Sequence, residues 1–249
     1  MQRLAPRYQK NDVLLGWFAP FGQAAKLAAQ MLYPANLLSI QFSHYRSSLR
    51  WMGIESMPLV GLSAVFVSLA LSIQTIIELQ RFSAQDMAGM VISIGLLREL
   101  GPLTVSVSWC ARVAARLSGE ARDFRGGSRE FVTQFALPKY LAALSMSIPL
   151  GAYGLVIGFL TSAFFAPYLG VSSTHDYLSA AKPAIKDKDL FCYFFKLILV
   201  NPTIGVFAGC VFGRFGKGGR SEICSNAVTA MFIAAMFFNL AFTYAMYVP

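Results

Sequence analysis

Leu96-Leu97-Arg98-Glu99-Leu100-Gly101-Pro102 places an arginine and a glutamate halfway along an apolar run, between Met90 to Leu97 on one side and Leu103 to Ala111 on the other. The whole run, Met87 to Gly119, is long enough to cross a bilayer, which takes about 20 residues. A charged side chain near the bilayer centre costs roughly 2.5–3.5 kcal/mol on insertion scales, so such groups face a protein interior or a wet cavity. Arg98 and Glu99 are sequence neighbours, about 100° apart on a helix, and cannot pair side by side; each therefore needs a partner elsewhere. Pro102 has no N–H and crowds the carbonyl of residue 98, which predicts a kink where the charges are. Two roles stay open for the pair: a tie between helices, or a site facing a substrate.

Composition says that the bilayer is the solvent. With 249 residues, 56% hydrophobic and only 13% charged, and a mean hydropathy of +0.55, a soluble domain would expose too much apolar surface. The fold class is therefore an all-α integral membrane protein. The net charge of +9 does not point to nucleic acid, because the bases fall between apolar spans and form no patch with interleaved aromatics. Cys110, Cys192, Cys210 and Cys224 lie in or beside apolar segments without CxxC spacing, so neither a metal site nor a disulfide framework is expected.

The chain begins with a polar, basic stretch, Met1 to Asp12, that lacks an apolar signal core and should stay in the cytoplasm. Val13 to Arg50 mixes Trp17, Phe18, Leu27 and Met31 with Lys26, His44, Arg46 and Arg50 and is broken by Pro20 and Pro34. This predicts amphipathic helices at the cytoplasmic interface; a small soluble domain is the alternative, and the segment is short for one. Residues 1–55 form this cytoplasmic and interfacial part, and 56–249 a five-span domain with spans at about 57–78, 87–118, 138–168, 190–213 and 222–248. In the third span, Gly151, Gly154 and Gly158 would let a neighbouring helix approach closely. Between spans three and four, Leu169 to Asp189 reads as a polar loop.

Orientation follows from the bases. Arg112, Arg116, Arg122, Arg125, Arg129, Lys139, Arg214, Lys217 and Arg220 gather on the side of the basic N-terminal segment, whereas Arg81, Lys182, Lys186 and Lys188 fall on the other. The positive-inside rule then puts the N-terminus in the cytoplasm and the C-terminus outside. An intramembrane enzyme is disfavoured: His44 and His175 lie outside the spans, and no HExxH occurs. Gly213-Arg214-Phe215-Gly216-Lys217-Gly218 superficially resembles a phosphate loop but lacks the Gly-Lys-Ser/Thr ending and follows a membrane span. This chain therefore carries no ATPase site of its own.

The seven-residue core, together with Gln74, the Ser83-Ala84-Gln85-Asp86 turn, Arg112, Gly119-Glu120 and Lys196, resembles the MlaE/YrbE permeases, the membrane subunits of ABC systems that move phospholipids or other lipids with MCE-domain proteins. The stretch Glu120 to Leu137 is shorter than that family's loop after span two and lacks its Asp-Pro. The resemblance implies a homodimer of five-span chains in a bacterial cytoplasmic (inner) membrane, enclosing a lipid-sized cavity. It also implies a separate ABC ATPase that uses ATP and an MCE-domain partner; this chain itself would need no cofactor. Arg98 and Lys196 would hold a lipid phosphate, with Glu99 balancing charge and Gln74, Ile76 and Leu100 beside the acyl chains. Lys196 could equally snorkel. Glu120, Arg122, Arg129, Glu130, Phe131 and Phe135 would contact the ATPase, with Ser128 capping a short helix; a solvated charge run is the other reading. A secondary transporter or channel working without an ATPase is the alternative function, which internal two-fold repetition would favour.

Overall fold

The computed structural model describes residues 22–31 and 42–247. The expectations for residues 1–21, for Pro34 and for the last two residues lie outside the described residues. Eight helical runs follow in order: α1 (22–31), α2 (Phe42–Met52), α3 (Met57–Arg81), α4 (Gln85–Asp123), α5 (Ser128–Phe165), α6 (Thr174–Ala181), α7 (Asp187–Phe215) and α8 (Arg220–Tyr247). No strand occurs among the described residues. Five runs are long and apolar enough to cross a membrane, with α2, the short 3₁₀ turn Ile54–Ser56 and α3 counting as one. The chain is a multi-pass membrane protein.

Short turns join α3 to α4, α4 to α5 and α7 to α8, so these neighbours run antiparallel. One end of the bundle holds the Phe82 to Ala84 turn and α6; the opposite end holds Ile54–Ser56 and the corners at residues 124–127 and 216–219. At 39 residues, α4 is roughly 58 Å long at 1.5 Å per residue, well beyond a ~30 Å hydrocarbon core. Its charged last turns, Arg112 to Asp123, are the part that overhangs.

Three helices contain π-helical turns: Leu96–Leu100 and Ser106–Cys110 in α4, Phe131–Ala136 in α5 and Lys196–Val200 in α7. Pro102, Pro138 and Pro202 each stand two residues beyond such a turn. Proline neither donates to the carbonyl four residues back nor leaves room for it, and a wider turn relieves both problems without ending the helix. This explains why the third span begins at Ser128, ten residues before the sequence expectation at Pro138. The kink anticipated at Pro102 takes the form of a π turn.

The tightest seam joins α7 to α4. A Cβ at Gly209 would come 2.7 Å from Leu117 Cβ, and one at Gly213 would come 2.5 Å from the Ser118 carbonyl oxygen. A Cβ at Gly158, by contrast, would meet nothing closer than 3.6 Å. On the fourth span, Gly209 and Gly213 thus face rigid backbone and Cβ atoms, whereas on the third span Gly151 admits the Leu197 side chain, which a Cβ would meet at 2.5 Å. Around this seam lies the main core, with Trp109, Leu117, Leu150 and Tyr193 fully buried. Leu27 and Met31 of α1 and Trp51 and Met52 of α2 join it, and the Trp109 indole N–H donates to the Met52 carbonyl at 2.8 Å. A second cluster, with Ile76, Ile92 and Tyr177, fills the α6 end.

Candidate functional site

Arg98 and Glu99 sit in the first π turn of α4, and each has a partner on α7. Arg98 Nε donates to Asp189 Oδ1 at 2.9 Å, and its guanidinium lies over the Tyr247 ring, 4.3 Å from the centroid. The Tyr247 hydroxyl donates to the same carboxylate oxygen. Asp189 is 1% exposed and also accepts from the Lys186 N–H at 3.3 Å, so one buried carboxylate caps the start of α7 and anchors Arg98. Neither Nη atom of Arg98 makes a hydrogen bond among the described residues, and 32% of its side chain is exposed.

Lys196 has a different fate. It is 1% exposed, donates to the Arg98 carbonyl at 2.7 Å and to Thr243 Oγ1 at 2.5 Å, and stands 3.6 Å from Glu99 Oε1. The Arg98 carbonyl is the one that an N–H at position 102 would ordinarily serve; with proline there, the Lys196 ammonium takes it. One turn further in, Asn201 Nδ2 donates to the Pro102 carbonyl at 3.2 Å, and Asn239 Nδ2 donates to Asn201 Oδ1 at 2.9 Å. The charges of Arg98, Lys196, Glu99 and Asp189 balance, which lowers the cost of holding them away from water.

This polar ladder follows from local geometry. Asp189 and Lys196, two turns apart, share one face of α7. The π turn after Lys196 adds a residue, so Asn201, five positions on, keeps to that face. Asn239, Thr243 and Tyr247 recur at four-residue steps along α8. That spacing on an otherwise apolar helix was the available sequence signal for three residues that the sequence analysis missed. Asp189 was missed because Lys186, Asp187 and Lys188 beside it look solvated.

The remaining predicted contacts do not converge on Arg98. Gln74 is exposed on α3, whereas Ile76 points inward with 0% exposure, packed in the second core cluster, which removes it from any acyl-chain contact. Leu100 is partly exposed beside the charges. The crevice that borders the π turn, between Leu96, Gly101, Thr104, Gly154 and Gly158, has a volume of about 10 Å³, room for one water molecule and no lipid.

At the other end, the structure corrects the proposed coupling segment. Phe131 and Phe135 are 3% and 6% exposed; their rings stack with centroids 5.1 Å apart, and Phe124 packs 5.6 Å from each. They are core side chains, and an aspartate at either position would break the fold before it affected a partner. The helix is capped at Gly127, whose N–H donates to Glu130 Oε2 at 3.1 Å; Ser128 is its first residue instead of its cap. Glu120 turns inward to an ion pair with Lys139 and another with Arg116 at 2.9 Å. Arg122, Arg129 and Glu130 remain exposed. The four cysteines are free, and no group of metal-binding side chains assembles among the described residues.

With this geometry in place, comparison with known proteins is decisive at the family level. The family described as permease MlaE matches residues 46–121 and 129–246. The chain belongs to that family. A probable ABC transporter permease protein of Rickettsia bellii (strain RML369-C) is 24% identical over 216 residues, covering 82% of this chain and 83% of its own. One from Porphyra purpurea is 20% identical over 224 residues, 86% of this chain and 85% of its own. The intermembrane phospholipid transport system permease protein MlaE of Haemophilus influenzae is 25% identical over 107 residues, 43% of this chain and 41% of its own. Members of this permease family are transport components of ABC systems, and the polar ladder of this permease, apart from Tyr247, lies within the matched segments.

Proposed function

We propose that this permease moves a phospholipid or a related lipid between membranes, acting as a homodimer with a separate ATP-hydrolysing ABC subunit and an MCE-domain lipid-binding protein in a bacterial inner membrane. Arg98 is the headgroup contact. The observation that carries this reading is the contrast between the two buried-span cations: 32% of the Arg98 side chain is exposed and its Nη atoms are free of hydrogen bonds among the described residues, whereas Lys196 is 1% exposed and spent on internal acceptors. A guanidinium held by its Nε and one face presents the remaining fork to a phosphate. Lys196 thereby becomes a structural cation, and Glu99 its counter-charge.

The test compares three variants by membrane abundance, co-purified phospholipid per chain and lipid transport. Arg98→Lys keeps the charge but loses the fork, and should lower bound phospholipid several-fold. Arg98→Gln combined with Asp189→Asn removes the ion pair without leaving an unpaired buried charge, so the chain should accumulate while transport and bound phospholipid are lost. Normal transport in that double variant would rule out Arg98 as the phosphate contact.

A further inference from the structure

The last turn of α8 reaches both members of the Arg98–Asp189 pair. Asp189 Oδ1 accepts from Arg98 Nε at 2.9 Å and from the Tyr247 hydroxyl, and Asp189 Oδ2 accepts from the Lys186 N–H at 3.3 Å. A carboxylate has about four acceptor positions, two on each oxygen, so the guanidinium N–H and the hydroxyl between them fill Oδ1. The Tyr247 ring meanwhile covers one face of the guanidinium, with Arg98 Cζ 4.3 Å from its centroid, and the Lys188 ammonium stands 5.0 Å from the same centroid. Hydroxyl and ring thus grip an ion pair between α4 and α7 from a third helix.

An arginine beside a carboxylate frequently closes into a fork of two parallel N–H···O bonds. This one does not: Arg98 gives Asp189 its Nε alone, and neither Nη makes a hydrogen bond among the described residues. We infer that Tyr247 is a positioning residue that keeps the Arg98–Asp189 pair from closing into a fork, and so leaves both Nη groups of Arg98 free for a phosphate. Without the hydroxyl, Oδ1 regains a lone pair, Asp189 is the nearest anion, and an Nη turns to it; the phosphate site is then occupied from within. The ring contributes by holding the plane of the guanidinium, and Lys188, on the first turn of α7, helps to hold the ring. Tyr247 lies one position beyond the segment matched by the permease family, which ends at residue 246, so this control over the site is a feature of this chain outside the matched part. The inference rests on the proposed function for the ligand of Arg98, but not for the geometry that frees the fork.

Tyr247→Phe in the full-length permease tests this, since it keeps the ring and removes only the hydroxyl. Phenylglyoxal, which condenses with the Nη groups of an arginine, reads the fork directly. Applied to the delipidated permease in detergent and mapped by peptide mass, it should label Arg98 several-fold more slowly in the variant, while the exposed Arg125 reacts as before. Phospholipid co-purified per chain should fall about tenfold at equal membrane abundance, the effect of one hydrogen bond to a charged group. Adding Asp189→Asn should restore both readouts, because an amide has a single acceptor oxygen and cannot close the fork; a tyrosine that only braced α8 would show no such rescue. Undiminished labelling of Arg98 in Tyr247→Phe would overturn the positioning role, and so would a double variant as poor as Tyr247→Phe alone. Slower labelling with unchanged phospholipid would uphold the positioning role and overturn Arg98 as the headgroup contact, so the two readings fail separately.

Discussion

Lys196 shows how much a single side chain can owe to one backbone vacancy. Its ammonium is held by the Arg98 carbonyl, Thr243 and Glu99, and its 1% exposure leaves no other partner within reach. Lys196→Ala would strand Glu99, whose Oε1 is buried without a hydrogen bond of its own. Losing one member of a buried pair costs about 3–5 kcal/mol, so membrane abundance and the midpoint of thermal aggregation in detergent should both fall. Lys196→Met together with Glu99→Gln removes both charges at similar volume and should recover most of the loss. If the double variant is no better than the single, the pairing is not what Lys196 is for. That Arg98 and Glu99 needed separate partners was legible from their adjacency. Which partners they took was not, because Asp189 reads as part of a solvated run until the first turn of α7 packs against α4.

At the scale of helices, proline and glycine set the bundle. Each of Pro102, Pro138 and Pro202 is preceded by a widened turn, and at two of them the breaks in α4 and α7 meet, where side chains of α7 donate to the Arg98 and Pro102 carbonyls of α4. Proline announced an interruption in the sequence but not its form, and Pro149 lies inside the third-span helix without a widened turn. The seam between the same two helices rests on glycine. Gly213→Ala puts a Cβ 2.5 Å from the Ser118 oxygen and 2.6 Å from Ala121 Cβ, both rigid, and should cost about 1–3 kcal/mol as overpacking. Gly158→Ala, which meets only ordinary contacts, should be neutral or slightly favourable through helix propensity. Yield and thermal stability of the two purified variants check this, and equal behaviour would show that the seam can yield.

For the whole molecule, large apolar side chains on α3 and α8, such as Phe66 at 63% and Phe237 at 67% exposure, face outward, as surfaces against lipid or a second copy require. Five spans should place the two chain ends on opposite sides, with the basic corners in the cytoplasm. A reporter fused before Met1 should therefore read the cytoplasm and one fused after Pro249 the outer compartment; both on one side would remove the five-span topology. The number of spans and the presence of charges at mid-depth were determined by the sequence alone, because hydropathy and insertion cost belong to each segment separately. The tertiary structure decided the rest: Asp189 for Arg98, Lys196 for Glu99, Phe131 and Phe135 turned inward, and Arg214 of α7 donating to the Phe124 and Gly126 carbonyls. These depend on how far each helix is rotated about its axis, which is fixed by glycine contacts and by the extra residue in each π turn, and a rotation of one residue changes every partner along the helix.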